Sequence, residues 1–435
     1  MFKQTQHNRH LGLRLLMVAA LVLATFPAVW ADKTSEKSAP KPAAETKATA
    51  AAAKQEAAPE AKPRLDIYGA AMLDMGYETG QSHPDWFDVA RPTKLPAYEN
   101  EYGKDGRFFA GVRQSRLGFK GFIPTSLGEI KTIFEFELFG TGVTAGQTTF
   151  RLRHAYGELG HFGAGQTWSP FMDPDVFPNS LEYWGPNGMV FFRNVQLRWI
   201  PIMGDTTLTI ALERPGASAD QGVYTDRVEL QGVKARFPLP DLSVQVRRSG
   251  KWGHVQFAGM LRRMQWDDMN DDKYDLSGKA TGWGLHLSGN YIIAKDTIRA
   301  SLLYGEGIQN YMNDAPVDVG IQNNFSNAVT PILGQALPIF TMVAFYDHTW
   351  SDKYTSTIGY SYLDITNSDG QAPSAFKTGQ YALVNLLYYP ASNFFLGPEL
   401  QWVRRENFKD GWSVDDVRIQ FSAKFSFKTS IGGKS

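Results

Sequence analysis

Cysteine is absent from all 435 residues. The protein therefore has no disulfide, no thiolate metal site and no cysteine nucleophile. Beyond the first 31 residues there is also no run of 18 apolar residues, which excludes helical membrane spans. A charge bias is missing as well, because 44 basic residues face 44 acidic ones, and this balance suggests neither a nucleic-acid partner nor an anionic membrane surface.

The first 31 residues have the layout of a secretory signal peptide. Three basic residues (Lys3, Arg9 and Arg14) precede an apolar run from Leu15 to Val29. Cleavage is expected after Ala31. An uncleaved anchor helix is the alternative, but the run is shorter than the ~20 residues that a span requires.

Residues 32–63 contain no aromatic and no large aliphatic side chain. Such a segment cannot bury a hydrophobic core, so we predict a flexible periplasmic tether rich in Ala, Lys, Glu and Pro. A weakly self-associating helix over 48–58 is the alternative. We expect peptidoglycan to be a partner of this tether.

From residue 64 the pattern changes to runs of alternating apolar and polar residues. In 417–427, VRIQFSAKFSF, one face is apolar and ends in aromatic residues while the other is polar throughout. Aromatic residues make up 13% of the chain and there are 41 glycines. This combination predicts an all-β fold, a transmembrane antiparallel β-barrel over 64–427 with lipid-facing strands and aromatic girdles. Residues 428–435 are left as a C-terminal tail.

Short and long polar connections alternate along the barrel sequence. Seven short ones pair fourteen strands, and one strand at each end gives about sixteen, with short periplasmic turns, long external loops and both termini periplasmic. These turns fall at 123–128, 160–161, 201–205, 249–253, 294–297, 350–353 and 389–393. The strand-like stretch 227–237 is placed in a long loop, and eighteen strands is the alternative count.

The parity opposite to the apolar face identifies the side chains that line the channel. The inward basic residues are Arg116, Lys120, Arg151, Arg153, Arg198, Arg247, Arg262, Arg299, Arg405, Arg418 and Lys424. Inward acids are fewer, chiefly Glu135, Glu137 and Glu399. A guanidinium surplus raises the local anion concentration and binds carboxylates in bidentate pairs, which predicts passive diffusion of small carboxylates with more than one carboxyl group. Alternatively, loop acids balance these arginines, which then only solubilise the wall.

Residues 169–188, SPFMDPDVFPNSLEYWGPNG, contain four prolines and no strand pattern. We predict that this loop folds inward and narrows the bore, although an outward surface loop is the alternative. The polar and aromatic residues expected at the constriction are Asp173, Asp175, Asn179, Glu182, Tyr183 and Trp184.

Catalytic, metal and cofactor sites are not indicated. None of the eight histidines has a partner at metal-ligand spacing, and the acidic run 267–275 lacks the glycine and glutamate of a calcium loop. We interpret that run as an external loop, with divalent bridging to lipopolysaccharide left open. An outer-membrane hydrolase is disfavoured because polar residues mostly take the inward parity, whereas an adhesin or envelope tether without transport remains the main alternative function.

Three segments resemble the DcaP-like porins of Gram-negative outer membranes. They are Gly165-Gln166-Thr167-Trp168 with the following Pro170, Asp173, Asp175, Pro178, Asn179, Glu182, Trp184, Gly185 and Pro186, then Phe237-Pro238-Leu239-Pro240-Asp241, and Trp252-Gly253-His254-Val255-Gln256. The resemblance covers roughly 64–427 and implies a homotrimeric sixteen-stranded channel in the outer membrane for small anions, typically dicarboxylates. It also implies an N-terminal extension able to form a coiled coil, whereas 32–63 lacks heptad apolar residues.

Overall fold

The computed structural model describes residues 62–433. The predicted signal peptide and almost all of the predicted tether lie outside these residues. Within them, the chain forms twenty-one β-strands. In chain order the strands are β1 (Arg64–Glu78), β2 (Arg107–Gly111), β3 (Arg116–Thr125), β4 (Gly128–Phe139), β5 (Thr148–Leu159), β6 (Phe162–Trp168), β7 (Arg193–Ile202), β8 (Thr206–Glu213), β9 (Val233–Arg236), β10 (Asp241–Gly250), β11 (Gly253–Asp268), β12 (Gly278–Ile293), β13 (Asp296–Glu306), β14 (Val319–Asn323), β15 (Ile332–Ala336), β16 (Pro338–Ser351), β17 (Tyr354–Ile365), β18 (Phe376–Asn385), β19 (Leu387–Ala391), β20 (Phe394–Asn407) and β21 (Ser413–Gly432).

Helical structure in the described part is limited to single turns within connections. The α-helical turn is α1 (Val228–Gln231), and the 3-10 turns are Pro84–Trp86, Pro92–Lys94, Gly142–Thr144, Pro174–Val176, Gly222–Tyr224 and Gln309–Tyr311. Across residues 62–433, no helix has the length and apolar character needed to cross a membrane.

Nineteen strands form one antiparallel sheet that closes on itself, because β21 pairs with β1 and β1 pairs on its other edge with β2 and β3. Three barrel strands are interrupted and consist of two segments each: β2 with β3, β9 with β10, and β18 with β19. The closed barrel therefore has sixteen strands, which confirms the predicted fold and count. The remaining two strands, β14 and β15, form a separate hairpin.

The uncertain stretch 227–237 is resolved by the register of β11. β10 pairs with β11 along the stretch that begins with Leu242 opposite Leu261 and ends at the turn between the two strands. β9 pairs with the next part of the same edge of β11, with Arg236 opposite Gln265. β9 is thus the continuation of β10 beyond a break at 237–240, where two prolines lack the N–H groups that a ladder requires. It adds no seventeenth strand.

The connections alternate in length as the sequence predicts. All seven short turns join the expected strands at one end of the barrel, which we call the short-turn end; the opposite end is the long-loop end. Between β5 and β6 the connection is only Gly160 and His161, and Gly160 has the positive φ of 57° that a two-residue hairpin requires.

The apolar face of each barrel strand points outward. Along β21, Ile419, Phe425 and Phe427 are more than half exposed, whereas the intervening Arg418 and Ser422 are buried inside. Apolar side chains are required on the outer face, because a charged side chain there near the bilayer midplane costs ~2–4 kcal/mol of stability. Along β21 the alternation therefore separates an outward apolar face from an inward polar face.

The closing strand extends five residues beyond Phe427, where the sequence predicts the barrel to end. β21 reaches Gly432, which lies opposite Arg64, and Ile431 continues the outward apolar row. Because β1 already begins at Arg64, it provides unpaired backbone groups to which 428–432 bind. Most of the predicted tail is therefore part of the wall.

Candidate functional site in the barrel interior

The segment between β6 and β7, residues 169–192, folds inside the barrel; we call it the inner loop. The backbone carbonyls of Phe171 and Met172 bond to inward side chains of β12 and β11, at 2.9 and 3.1 Å. Further along, the N–H groups of Leu181 and Glu182 donate to Glu399 on β20, at 2.7 and 2.9 Å. The loop thus lies against the inner wall, as we predict from the sequence, and not on the outer surface.

Asp173 fixes the first half of the inner loop. Its carboxylate is 2.6 Å from His254 Nε2, accepts a hydrogen bond from Ser288 at 2.8 Å, and lies 3.3 Å from Arg247. Burial alone raises the pKa of Asp173, but the hydrogen bonds from His254 and Ser288 and the charge of Arg247 outweigh it and hold the pKa below its usual range. Asp173 is therefore an ionised anchor, set between three strands.

Asp173, Asp175 and His254 offer ligand atoms within 4.8 Å of one another, a grouping that the histidine spacing in the sequence does not reveal. Arg247 donates to both carboxylates, at 3.3 Å to Asp173 and 2.5 Å to Asp175. A guanidinium ion thus already supplies the positive charge for this pair. The donor set does not fit a divalent ion, because the metal would have to displace the arginine.

The second half of the inner loop is fixed by Glu182. Its carboxylate accepts hydrogen bonds from three backbone N–H groups, those of Ala90, Trp184 and Gly185. Burial raises the pKa of Glu182 to about 7, although these three N–H groups act in the opposite direction. The neighbouring Tyr183 stacks on Phe139 of β4 with ring centroids 4.0 Å apart.

Removal of the Glu399 side chain is expected to change the channel current measurably. In Glu399→Ala, the buried N–H groups of Leu181 and Glu182 lose their acceptor, and a buried donor left without a partner costs about 1–3 kcal/mol. We expect larger open-channel current fluctuations in single-channel recordings because the inner loop moves more freely. Glu406→Ala on the same strand is the control, since Glu406 bonds to Arg404 rather than to the loop. Equal current noise in the two variants would contradict the anchoring role.

Four arginines surround two glutamates on the part of the wall formed by β3, β4, β5 and β7. This arginine cluster consists of Arg116, Arg151, Arg153, Arg193, Glu135 and Glu137. Arg153 makes the closest contacts, with nitrogen atoms 2.5 Å from a carboxylate oxygen of each glutamate. The other arginines lie between 3.5 and 3.7 Å from the glutamates. Four guanidinium groups share two carboxylates, so the cluster has an excess of two positive charges.

A β-bulge aims Arg153 at both glutamates. Glu135 lies opposite His154 and Phe136 lies opposite Leu152, so Arg153 is the additional residue of β5 at this point. Bulges re-aim side chains in this way. Tyr68 on β1 donates a further hydrogen bond of 2.7 Å to Glu135, which completes the ring of donors around the carboxylates.

Two members of the cluster are accessible. The side chains of Arg116 and Arg151 are 35% and 29% exposed, whereas those of Arg153 and Arg193 are 5% exposed. Arg151 also lines a cavity of about 250 Å³ beside Tyr183 and Trp184 of the inner loop. Arg116 Nε and Arg193 Nη1 are buried and make no hydrogen bond to any described residue.

Three predicted lining residues lie on the inner side of the wall but are buried by the long loops. Arg262 binds Asp241 and Asp318, each at 2.9 Å. Arg405 donates to the carbonyls of Leu95 and Ser374, and Arg418 donates to those of Phe87 and Val89. These guanidinium groups hold loops onto the wall and are not open to a solute in this structure.

The other predicted basic residues have intermediate environments. Arg247 and Arg299 bind carboxylates, Asp175 at 2.5 Å and Asp347 at 2.6 Å respectively. Arg198 bonds to neutral acceptors, the Gln196 amide and the Trp168 carbonyl. The two lysines lie against aromatic rings: Lys120 is 5.3 Å from the Tyr68 ring centroid and Lys424 is 5.7 Å from that of Phe395.

Two arginines that contact aromatic residues beside the inner loop's cavity are missing from the sequence-based prediction. Arg193 has the outward parity of β7, yet it is the first residue of the strand and lies under the inner loop, where it reaches Glu137 at 3.5 Å. Arg91 belongs to the long loop after β1, lies 4.2 Å from the ring centroid of Trp184 and, like Arg151, lines the cavity of about 250 Å³. The alternation of apolar and polar residues identifies the inward side chains only within a strand. It does not show whether the first residue of a strand or a loop residue faces the interior.

A closed sixteen-stranded barrel with an apolar exterior, a charged interior and a loop folded into the bore is an outer-membrane channel of the porin type. The profile of the DcaP outer membrane protein family matches residues 43–427. The chain belongs to this family, as the three similar segments indicate. Both the family and the fold are those of integral outer-membrane channels and not of enzymes.

Solved structures agree on the fold. The outer membrane channel DcaP of Acinetobacter baumannii has a TM-score of 0.70 and 20% identity, over 83% of this chain and 97% of that chain. Outer-membrane expressed OmpT of Vibrio cholerae has a TM-score of 0.52 and 12% identity, over 84% and 98%. The in-vitro folded trimer form of OmpT has a TM-score of 0.50 and 13% identity, over 84% and 99%. No curated protein matches the chain.

Proposed function

We propose that this channel allows passive, anion-selective diffusion of small carboxylates, principally dicarboxylates. The observation that carries the proposal is the arginine cluster, in which four guanidinium groups surround two carboxylates. Inside a low-dielectric wall this surplus creates a positive potential, which concentrates anions and repels cations. The partial balancing of Arg247 and Arg299 by acids does not remove the surplus at the cluster.

The chemistry of the donors supports a carboxylate as the solute. Guanidinium groups present planar pairs of N–H donors that match the two oxygens of a carboxylate. Arg116 and Arg151 are exposed from different strands, β3 and β5, so they offer two separate contacts to one molecule. A dicarboxylate bridges such a pair, whereas a monocarboxylate engages only one of them.

The proposal extends to location and assembly. A signal peptide over 1–31 directs export, the short-turn end and both termini face the periplasm, and residues 32–63 contact peptidoglycan. The long loops face outward among lipopolysaccharide. A homotrimer is part of the proposal, supported by the trimer form described for OmpT and by the apolar exposure of Val143 and Phe150 beside the β4–β5 connection.

Planar-bilayer recordings test the proposal. The purified protein under a potassium chloride gradient should give a reversal potential of the sign that marks chloride as the more permeant ion. A four-carbon dicarboxylate should then reduce the chloride current at lower concentrations than the corresponding monocarboxylate does. Cation selectivity, or equal block by the two acids, would count against the proposed solute class.

A further inference from the structure

A second cavity, of about 220 Å³, lies among the long loops and shares no lining residue with the cavity beside Arg151. Three parts of the chain enclose it: the connection from β8 to β10, the end of β11 with the residues after it, and the β14–β15 hairpin. The hairpin forms a separate two-stranded sheet and is not part of the barrel wall. The cavity is therefore a feature of the loop assembly and is distinct from the cavity beside Arg151.

The lining of this cavity is mainly apolar. Leu230, Leu276, Ile321 and Ile332 form a buried hydrophobic cluster here, and Trp266 adds its ring. The Trp266 indole N–H is already bonded to the Leu276 carbonyl at 2.9 Å, so the indole contributes its apolar surface to the cavity.

The polar groups of the lining are largely occupied by other partners. Asp220 accepts hydrogen bonds from the Gly222 N–H at 2.8 Å and from Gln371 at 2.9 Å. Ser218 bonds to Asp318 and Asn310. A charged or strongly polar ligand would find few free partners in this cavity, and water would be held poorly there.

Protein interiors are packed closely and contain few voids larger than a water molecule. An apolar cavity of about 150 Å³ in another protein stays dry and binds benzene, so the cavity here is large enough for one aromatic ring or two fused rings. Trp266 and Phe237 in the lining offer edge-to-face or offset contacts to such a ring. We propose that this loop cavity is a binding site for a small, uncharged aromatic molecule of the size of indole.

The test uses the full-length protein in amphipol, with free detergent removed, and indole as the probe in ligand-detected NMR. The wild-type protein should bind indole, and Val233→Trp, which places a large side chain into the cavity, should weaken binding at least tenfold. Val223→Trp is the matched control, because Val223 is an exposed residue of the same connection and does not line the cavity. Absence of wild-type binding, or equal binding by the two variants, would overturn the proposal.

A second variant guards against misfolding of the first. Ala217→Leu adds less volume at another point of the lining and should also weaken binding, and folding of each variant is checked by the heat-dependent mobility of the barrel in gels. The outcome is separable from anion selectivity: a variant with a neutralised arginine cluster should bind indole as the wild type does. Loss of indole binding in that variant would place the probe in the pore and contradict the loop site.

Discussion

The Arg116→Gln/Arg151→Gln double variant is expected to lose anion selectivity while it still folds. These two arginines are the accessible members of the arginine cluster. Their removal leaves Arg153 and Arg193 beside Glu135 and Glu137, so the charges of the cluster balance. The buried carboxylates keep their nearest partners, which protects the fold.

The size of the effect follows from the potential that the surplus charge creates. A positive lumen potential on the order of one kT per unit charge raises the anion concentration in the lumen and lowers the cation concentration by the same factor. The anion-to-cation permeability ratio contains both factors multiplied together, so it changes by roughly sevenfold. We expect the chloride-to-potassium permeability ratio of the double variant to approach one, measured as the reversal potential under a salt gradient. The shift should be greatest at low ionic strength because salt screens the residual charge.

Arg263→Gln is the matched control for this measurement. Arg263 follows Arg262 in β11 but takes the outward parity and bonds to Thr281 on the neighbouring strand. The Arg263→Gln substitution removes a positive charge from the outer face of the barrel and not from the lumen, so the reversal potential should stay at the wild-type value. If the double variant also keeps that value, the selectivity does not arise at the arginine cluster.

The second large effect is expected from Arg262→Met, which should destabilise the barrel with little change in selectivity. Arg262 is buried and donates to Asp241 and Asp318 as well as to the carbonyls of Gly216 and Gly307. Removing one partner of a buried ion pair leaves uncompensated charge, which costs about 3–5 kcal/mol. Here two carboxylates lose their guanidinium partner.

The midpoint of thermal unfolding in detergent measures this loss. Arg263→Met is the control, since it makes the same substitution one residue away on the outer face, where methionine suits the lipid. The midpoint of Arg262→Met should fall well below that of the control. An unchanged midpoint together with reduced anion selectivity would instead assign Arg262 to the solute path.

The wall of the barrel is predictable from sequence because the membrane enforces one pattern. In lipid every backbone group must be paired within the sheet, and outward side chains near the bilayer midplane must be apolar, so strands show in the sequence as period-two runs. β6 (Phe162–Trp168) and β8 (Thr206–Glu213) begin directly after the predicted turns at 160–161 and 201–205 for this reason. The inner loop is likewise recognisable as an interruption between two strands, because its prolines lack the N–H groups that a ladder requires.

The alternating pattern of a strand does not show which loops cover the inner face of the wall. Arg418 and Arg405 have the inward parity, yet carbonyls of loop residues more than 300 positions away, such as Val89 and Leu95, bind them. Parity distinguishes inside from outside but cannot separate an arginine open to the lumen from one buried under a loop. Arg193 is missed for the opposite reason, since the first residue of a strand need not follow the strand's alternation.

The extension of β21 to Gly432 has a consequence for how the barrel is assembled. The seam between β1 and β21 joins residues such as Asp74 with Gln420 and Asp66 with Ser430, which are 346 and 364 positions apart along the chain. Contacts of such long sequence separation form slowly, because a very large loop must close first. Until they form, both strands present unpaired edges that promote aggregation. We therefore expect the seam to form late in folding, and residues 428–432 lengthen the edge of β21 that pairs with β1 when the sheet closes.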